Sequence, residues 1–308
     1  MNWKTAVEGY WLARRRDMSK HTVRDYQLTF RRFAEHIGDG EIDVKRIKKR
    51  DIDGFLNHLA DDLGLSAKTI TNHWIALSSF WTWAEDELGV TQIMRTVRRP
   101  IVRTRVIEPY TQEEVGRMLD ACTAMRAWDT RHRTHTVGQR PTAARDQAII
   151  LILLDTGLRA AELSALRVRD CDRKTGRLVV LHGKGGKQRH VYLGQSAQRA
   201  LWRYLAGHPD IRPDDPLLAT TDGNVMSRLV IGRHIARLGK RAGVAGAGAH
   251  RFRHTFAINF LRNGGHLLAL QDILGHSTLA MVRRYARLAE VDIAEAQRSA
   301  SPADKWRL

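Results

Sequence analysis

The chain has 308 residues, 43% of them hydrophobic, with 51 Lys and Arg against 33 Asp and Glu for a formal net charge of +18. That apolar content fills real cores, which excludes a disordered tail, and no stretch reaches the roughly 18 consecutive apolar residues of a membrane span. Cys122 and Cys171 lie far apart and outside any CxxC pattern, which argues against a disulfide framework or a zinc site and for a reducing cytosol.

The basic excess is shared by both halves, with 19 basic against 14 acidic residues up to Arg105 and 32 against 19 beyond it. Charge spread along a folded chain, with no single Lys/Arg tail, points to a polyanion contacted by two domains. The stretch Met1 to Arg16 has no long apolar run and no small-residue cleavage site, so no secretory signal is read there.

The first hundred residues read as a helical bundle. Ser19 caps a predicted helix whose apolar positions Val23, Tyr26, Phe30, Phe33 and Ile37 step by three and four, and Gly38 and Gly40 stop it. Asp51 opens a second through Ile52, Phe55, Leu56 and Leu59. Ser66 caps a third, with Ile70, Trp74, Leu77, Trp81, Ala84 and Leu88 on one stripe ended by Gly89. Tryptophans at that spacing are core residues before they are a base-stacking surface. Between Thr96 and Pro109 the periodicity lapses into an arginine-rich, proline-bounded linker.

The sequence TQEE at Thr111 forms a capping-box start for the second domain. Residues 126–142, polar and without period, read as a loop, and His132 and His135 are too few to make a metal site. Ala148 to Leu154 is a buried apolar helix, after which DTG turns the chain into a new helix near Leu158. Leu178 to Leu181 and Arg189 to Leu193 form the one clear β element, joined by the Gly-rich turn His182 to Lys187. From Met226 the chain returns to helices, with a loop at Gly246 and Gly248.

Four segments mix a charged residue with a geometry that would present it. In TGLRAAEL, Arg159 lies in the first helical turn and Glu162 sits three residues on, which alone could be a surface pair. HGKGGKQRHVYL puts Lys184 and Lys187 in a hairpin tip that does not fit the phosphate-binding GxxxxGK[ST] pattern. In AHRFRHTFAINFL, His250, Arg253 and His254 share one helix face while Phe252, Phe256 and Phe260 anchor another. His250 and His254 at HxxxH spacing lack the Glu that a zincin needs. In LGHSTLAMVRRYARL, His276 stands at a helix entrance, with Tyr285 nine residues later beside Arg283 and Arg284; taken singly, that Tyr reads as an amphipathic core residue.

Together, Arg, Lys, His-x-x-Arg, Gly-His and Tyr in this order resemble the catalytic domain of the tyrosine recombinases, the Xer and phage-integrase family, from about Thr111 to Leu288. The helical first hundred residues are similar to that family's core-binding domain. The resemblance implies a mainly α fold with a small antiparallel β-sheet, an N-terminal helical bundle followed by a tyrosine-recombinase catalytic domain. Residues 1–95 would be a SAM-like core-binding domain, 96–110 a basic linker, 111–290 the catalytic domain and 291–308 a tail docking on a neighbouring subunit. The bundle begins almost at Met1, which is read as leaving no room for an extra arm-binding domain.

The implied chemistry is site-specific cleavage and rejoining of DNA through a 3′-phosphotyrosyl link, without metal, cofactor or ATP. Tyr285 would be the nucleophile, Arg159 and Arg253 the cations on the non-bridging oxygens, and His276 a further donor. Lys184 would be the general acid with Lys187 in reserve, His250 the general base, and Glu162 a supporting partner. The implied partners are double-stranded DNA at paired recombination sites, three further copies in a homo-tetramer, and accessory DNA-binding proteins, all in the cytoplasm. Ala286 and Arg287 depart from the Thr-His common after the nucleophile in Xer-type relatives, which puts local packing in doubt. A type IB topoisomerase-like enzyme, a DNA-binding relative that has lost catalysis and a metal-dependent nuclease are the alternatives.

Overall fold

Aromatic residues at helical spacing dominate the first of two units in the computed structural model, Met1–Arg105 and Val106–Leu308. The structure describes all residues except 39, 103–106, 124–127, 131–132, 137–139, 182–187, 276–278, 290–296, 298–300 and 307–308. It is mainly helical, with antiparallel two-stranded sheets. Among the described residues, no helix is long and apolar enough to cross a membrane.

The first unit holds helices α1 (Trp3–Arg14), α2 (Lys20–His36), α3 (Lys49–Asp61) and α4 (Ala67–Leu88). The Ser19 and Ser66 hydroxyls accept from the backbone N–H of Thr22 and Thr69, so both predicted caps form. Helix α3 starts two residues before its predicted opening, because Asp51 sits at the third position and accepts from the Lys48 N–H at 2.8 Å. Helix α1 has no counterpart in the sequence reading: its buried Trp3, Ala6 and Tyr10 are spaced by three and four, but charged residues interrupt them. Trp3 lies 4.5 Å from Phe80 and 4.8 Å from Phe33, ring centre to ring centre, in a core that includes Trp81. Trp3, Trp81 and Trp83 are core, while Trp11 and Trp74 are partly buried against it, and the Trp74 indole donates to the Val97 carbonyl.

The second unit begins with α5 (Gln112–Thr123), where Thr111 and Glu114 exchange backbone-to-side-chain hydrogen bonds of 3.0 and 3.1 Å. Residues 126–142 are not all loop. Strands β1 (Trp128–Thr130) and β2 (Arg133–Thr136) pair antiparallel, their polar composition having hidden the alternation that marks a strand. Helix α6 (Ala143–Thr156) is the centre of this unit: Ala148, Ile149, Ile150, Ile152 and Leu153 are all fully buried, as expected of a helix covered on every side. Helix α5 and two later helices, α8 (Gln195–Ala206) and α10 (Ala249–Arg262), pack around it.

Between them come α7 (Ala160–Ala165), the hairpin of β3 (Arg177–Leu181) and β4 (Gln188–Tyr192), and α9 (Arg228–Arg241). Helix α8 was not anticipated. The chain ends with α11 (Leu267–Leu274), α12 (Leu279–Ala289) and a short helical turn, Pro302–Trp306. The phenylalanines of α10 are not its whole anchor. Phe252 is fully buried, but Phe256 and Phe260 are only half-buried, and Ala257, Ile258 and Leu261 carry the packing against α11 and α12.

Gly157 decides how the chain leaves α6. Its φ of +62° is left-handed, and a Cβ there would lie 2.5 Å from Phe256 and 2.9 Å from Leu274. Gly157→Ala is therefore expected to lower unfolding free energy by about 2–4 kcal/mol, backbone strain and overpacking together, in urea denaturation. A loss within error of zero would show that the turn re-forms around the methyl.

Candidate active site

The turn after α6 delivers Arg159 as the residue that caps α7, with extended backbone, and not within the first turn as expected. Glu162 reaches back to accept from the Arg159 N–H at 2.8 Å and from its Nη1 at 2.9 Å. A second guanidinium arrives from β4. Arg189 Nη1 and Nη2 donate to the two Glu162 oxygens at 3.1 and 2.8 Å, while its Nε donates to the Ile273 carbonyl at 2.7 Å. The sequence reading missed Arg189, although its signal was present: it pairs with buried Val180 across the hairpin, so both point to the covered face.

Burial acts to raise the Glu162 carboxyl, but hydrogen bonds from Arg189 and from the Arg159 backbone, with both positive charges, outweigh it and hold the pKa at about 2. Because this lies below the ordinary 4.5, the pair stabilises the fold above that pH and the contribution disappears as pH falls towards 2. Wild type is expected to lose on the order of 3 kcal/mol more than Glu162→Gln across that window. Urea midpoints at a pH above and a pH within the window check it; parallel losses in the two proteins would show that Glu162 does not titrate this way.

Arg253 enters from α10 and is almost wholly buried, with Nη1 donating to the Gly157 carbonyl at 2.8 Å and Nη2 to the Leu274 carbonyl at 2.7 Å. Burial, and then the like charge of Arg159, lowers its pKa to about 10, which leaves it charged at neutral pH. Arg189 and Arg253 thus hold two consecutive carbonyls in the last turn of α11. Gly275 ends that helix in a left-handed conformation and leads to residue 276.

Tyr285, on α12, is 6% exposed, and its ring centre lies 5.3 Å from that of His254, which in turn lies 4.6 Å from that of His250. Burial raises the Tyr285 pKa, while Arg253, Arg284 and Arg159 pull it down. Partial burial, then Arg253 and Arg159, lowers that of His250. His254 is pushed down to about 4 by burial, then by His250, Arg284 and Arg253, and its buried Nδ1 has no hydrogen-bond partner among the described residues. Arg159, Glu162, His250, Arg253 and Tyr285 are thus brought together, with Arg189 and His254 added. Lys184, Lys187 and His276 lie outside the described residues.

Among the described residues, no three His, Cys, Asp or Glu side chains group as a metal ion would require. Burial pushes the Cys122 thiol up to about 12 and the Cys171 thiol up to about 11, so both are poor nucleophiles.

Residues 110–291 match the phage integrase family, and residues 7–88 match the N-terminal SAM-like domain of phage integrases. The chain belongs to the phage integrase family, and with it to the site-specific tyrosine recombinases, enzymes that cleave and rejoin DNA. It is similar to tyrosine recombinase XerC of Lactobacillus delbrueckii subsp. bulgaricus, 29% identical over 91% of this chain and 92% of that one. Tyrosine recombinase XerD of Mycobacterium tuberculosis is 28% identical over 96% of this chain and 97% of that one. The fold is shared with the Tn1549 transposon integrase, solved in complex with a circular intermediate DNA, at a TM-score of 0.77 and 21% identity over 92% of this chain and 95% of that one. The topoisomerase-like and inactive-binder alternatives are not favoured by these relatives.

Proposed function

We propose that Tyr285 attacks the scissile phosphorus of a DNA strand, forming a 3′-phosphotyrosyl bond as the bond to the 5′-oxygen breaks. A 5′-hydroxyl then attacks the same phosphorus, reforms a phosphodiester and returns Tyr285. One ester replaces another, so the exchange needs no ATP, and the fixed cations take the place of a metal ion or other cofactor. The observation that carries this reading is the meeting of a buried phenol from α12 with the guanidiniums of Arg159 and Arg253 from two other segments.

Arg159 and Arg253 stabilise the charge that develops on the non-bridging oxygens, and His276 adds a hydrogen bond. Lys184, with Lys187 as the alternative, gives a proton to the leaving 5′-oxygen. His250, whose lowered pKa keeps it neutral at pH 7, takes the Tyr285 proton. Glu162 orients the arginines.

The substrate in this reading is double-stranded DNA at paired recombination sites, which the net charge of +18 supports. The working assembly is a homo-tetramer in the cytoplasm, joined at some sites by accessory DNA-binding proteins. Residues 1–95 bind the DNA core, 96–110 link, 111–290 catalyse and 291–308 dock on a neighbouring subunit; Trp306, 72% exposed, supports the last assignment.

The test is covalent trapping in EDTA with sheared, nicked DNA from the source genome, followed by denaturation in detergent. A peptide containing Tyr285, bonded to a DNA 3′ end, is the expected product, and the attached DNA reports the target. Adducts that form only when a divalent metal is added, or that link through a 5′ end, would overturn the mechanism.

A further inference from the structure

We propose that Arg189 is a positioning residue that takes up the charge of Glu162 and so leaves Arg159 available to the scissile phosphate. The inference rests on the reading of the site given above. Glu162 is held by two guanidiniums in unequal ways. Arg189 is bidentate on it, with a side chain 9% exposed, whereas the guanidinium of Arg159 reaches it through Nη1, beside the Arg159 backbone N–H, and that side chain is 40% exposed. Guanidinium carries five N–H donors, so the outer arginine keeps most of its donors for a ligand while the inner one spends its fork on the carboxylate.

Charge leads to the same division. Without Arg189, Arg159 would be the remaining described guanidinium on the buried Glu162. The carboxylate would draw that guanidinium into a bidentate pair, cancelling the cation the phosphorane needs. With Arg189 present, the three side chains keep an excess positive charge, placed on the exposed member. Arg189 also ties this balance to the rest of the site, because its Nε holds the Ile273 carbonyl, next to the Leu274 carbonyl held by Arg253. Arg189 is the second residue of β4 and pairs with Val180 of β3, so the same side chain fastens this hairpin to the site.

The test compares wild type, Arg189→Met, Glu162→Gln and the double variant. Each is assayed for single-turnover adduct formation on a nicked duplex bearing the sequence recovered by trapping, and for affinity towards that duplex. Arg189→Met is expected to slow adduct formation about 100-fold with far less change in affinity. Adding Glu162→Gln is expected to restore about tenfold of that loss, since the carboxylate that captures Arg159 is gone. A purely structural role predicts a rescue that follows regained unfolding free energy in urea, because Gln removes the buried charge left unpaired. A role on Arg159 predicts rescue of adduct formation in excess of any such gain. A double variant no faster than Arg189→Met, with both giving the wild-type circular dichroism spectrum, would overturn the proposal. If Arg189→Met does not fold, Arg189→Gln, which keeps donors but no charge, carries the same comparison. Wild-type adduct formation reads the proposed function separately; its absence would refute that function and the role of Arg189 with it.

Discussion

Tyr285→Phe is expected to bind target DNA as wild type does and to form no covalent adduct, a loss of about 10⁵-fold or more in strand cleavage. The argument begins with packing. The ring belongs to the cluster of Ala257, Ile258, Leu261, Leu270, Leu274, Val282 and Ala289, and Phe keeps all of its carbon contacts. What leaves is one oxygen, the atom that must bond to phosphorus. Burial makes that oxygen a reluctant anion, and the charges of Arg253, Arg284 and Arg159 compensate. Detergent-resistant adducts and gel mobility shifts, measured on the same samples, separate chemistry from binding. An adduct that persists in the Phe variant would refute Tyr285 as the nucleophile.

Arg253→Lys is expected to lose both stability and catalysis although it keeps the charge. The guanidinium spans the Gly157 and Leu274 carbonyls, which close α6 and α11, and a single ammonium does not reproduce that fork. Losing one charged, buried hydrogen bond lowers stability by about 2–3 kcal/mol. Cleavage should fall by about 10²–10³-fold, as for removal of a preorganised donor. The contrast with Arg159→Lys is diagnostic: Arg159 is half-exposed and, among the described residues, donates from its side chain to Glu162 alone, so catalysis should fall there with little loss of stability. Equal stability losses in the two variants would show that Arg253 is not the structural member of the pair.

Local signals were the legible ones. The serine caps of α2 and α4, the Thr111–Glu114 box and the glycine exits at Gly89 and Gly157 each depend on a few neighbouring residues, and all formed as read. Helix α1 and the β1–β2 hairpin were missed because charged and polar residues interrupt their patterns. At the site, order along the chain suggested the candidate residues, but not how they are held. Arg159 and Arg189 meet on Glu162 although 30 positions separate them, a closure set by β-hairpin register and helix packing. His254 stood in view beside Arg253, yet only the fold of α12 onto α10 places it against Tyr285.

The grip of Arg189 and Arg253 on Ile273 and Leu274 is made to main-chain oxygens. A peptide carbonyl is the same whatever side chain it carries, so this anchor is indifferent to amino-acid drift at both positions, within what packing allows. Its vulnerability is to counting: a residue inserted or deleted in α11 would rotate the gripped carbonyls by about 100°, since the helix turns once every 3.6 residues. The anchor therefore constrains the length of this segment, and packing at the buried Leu270 and Leu274 constrains its letters.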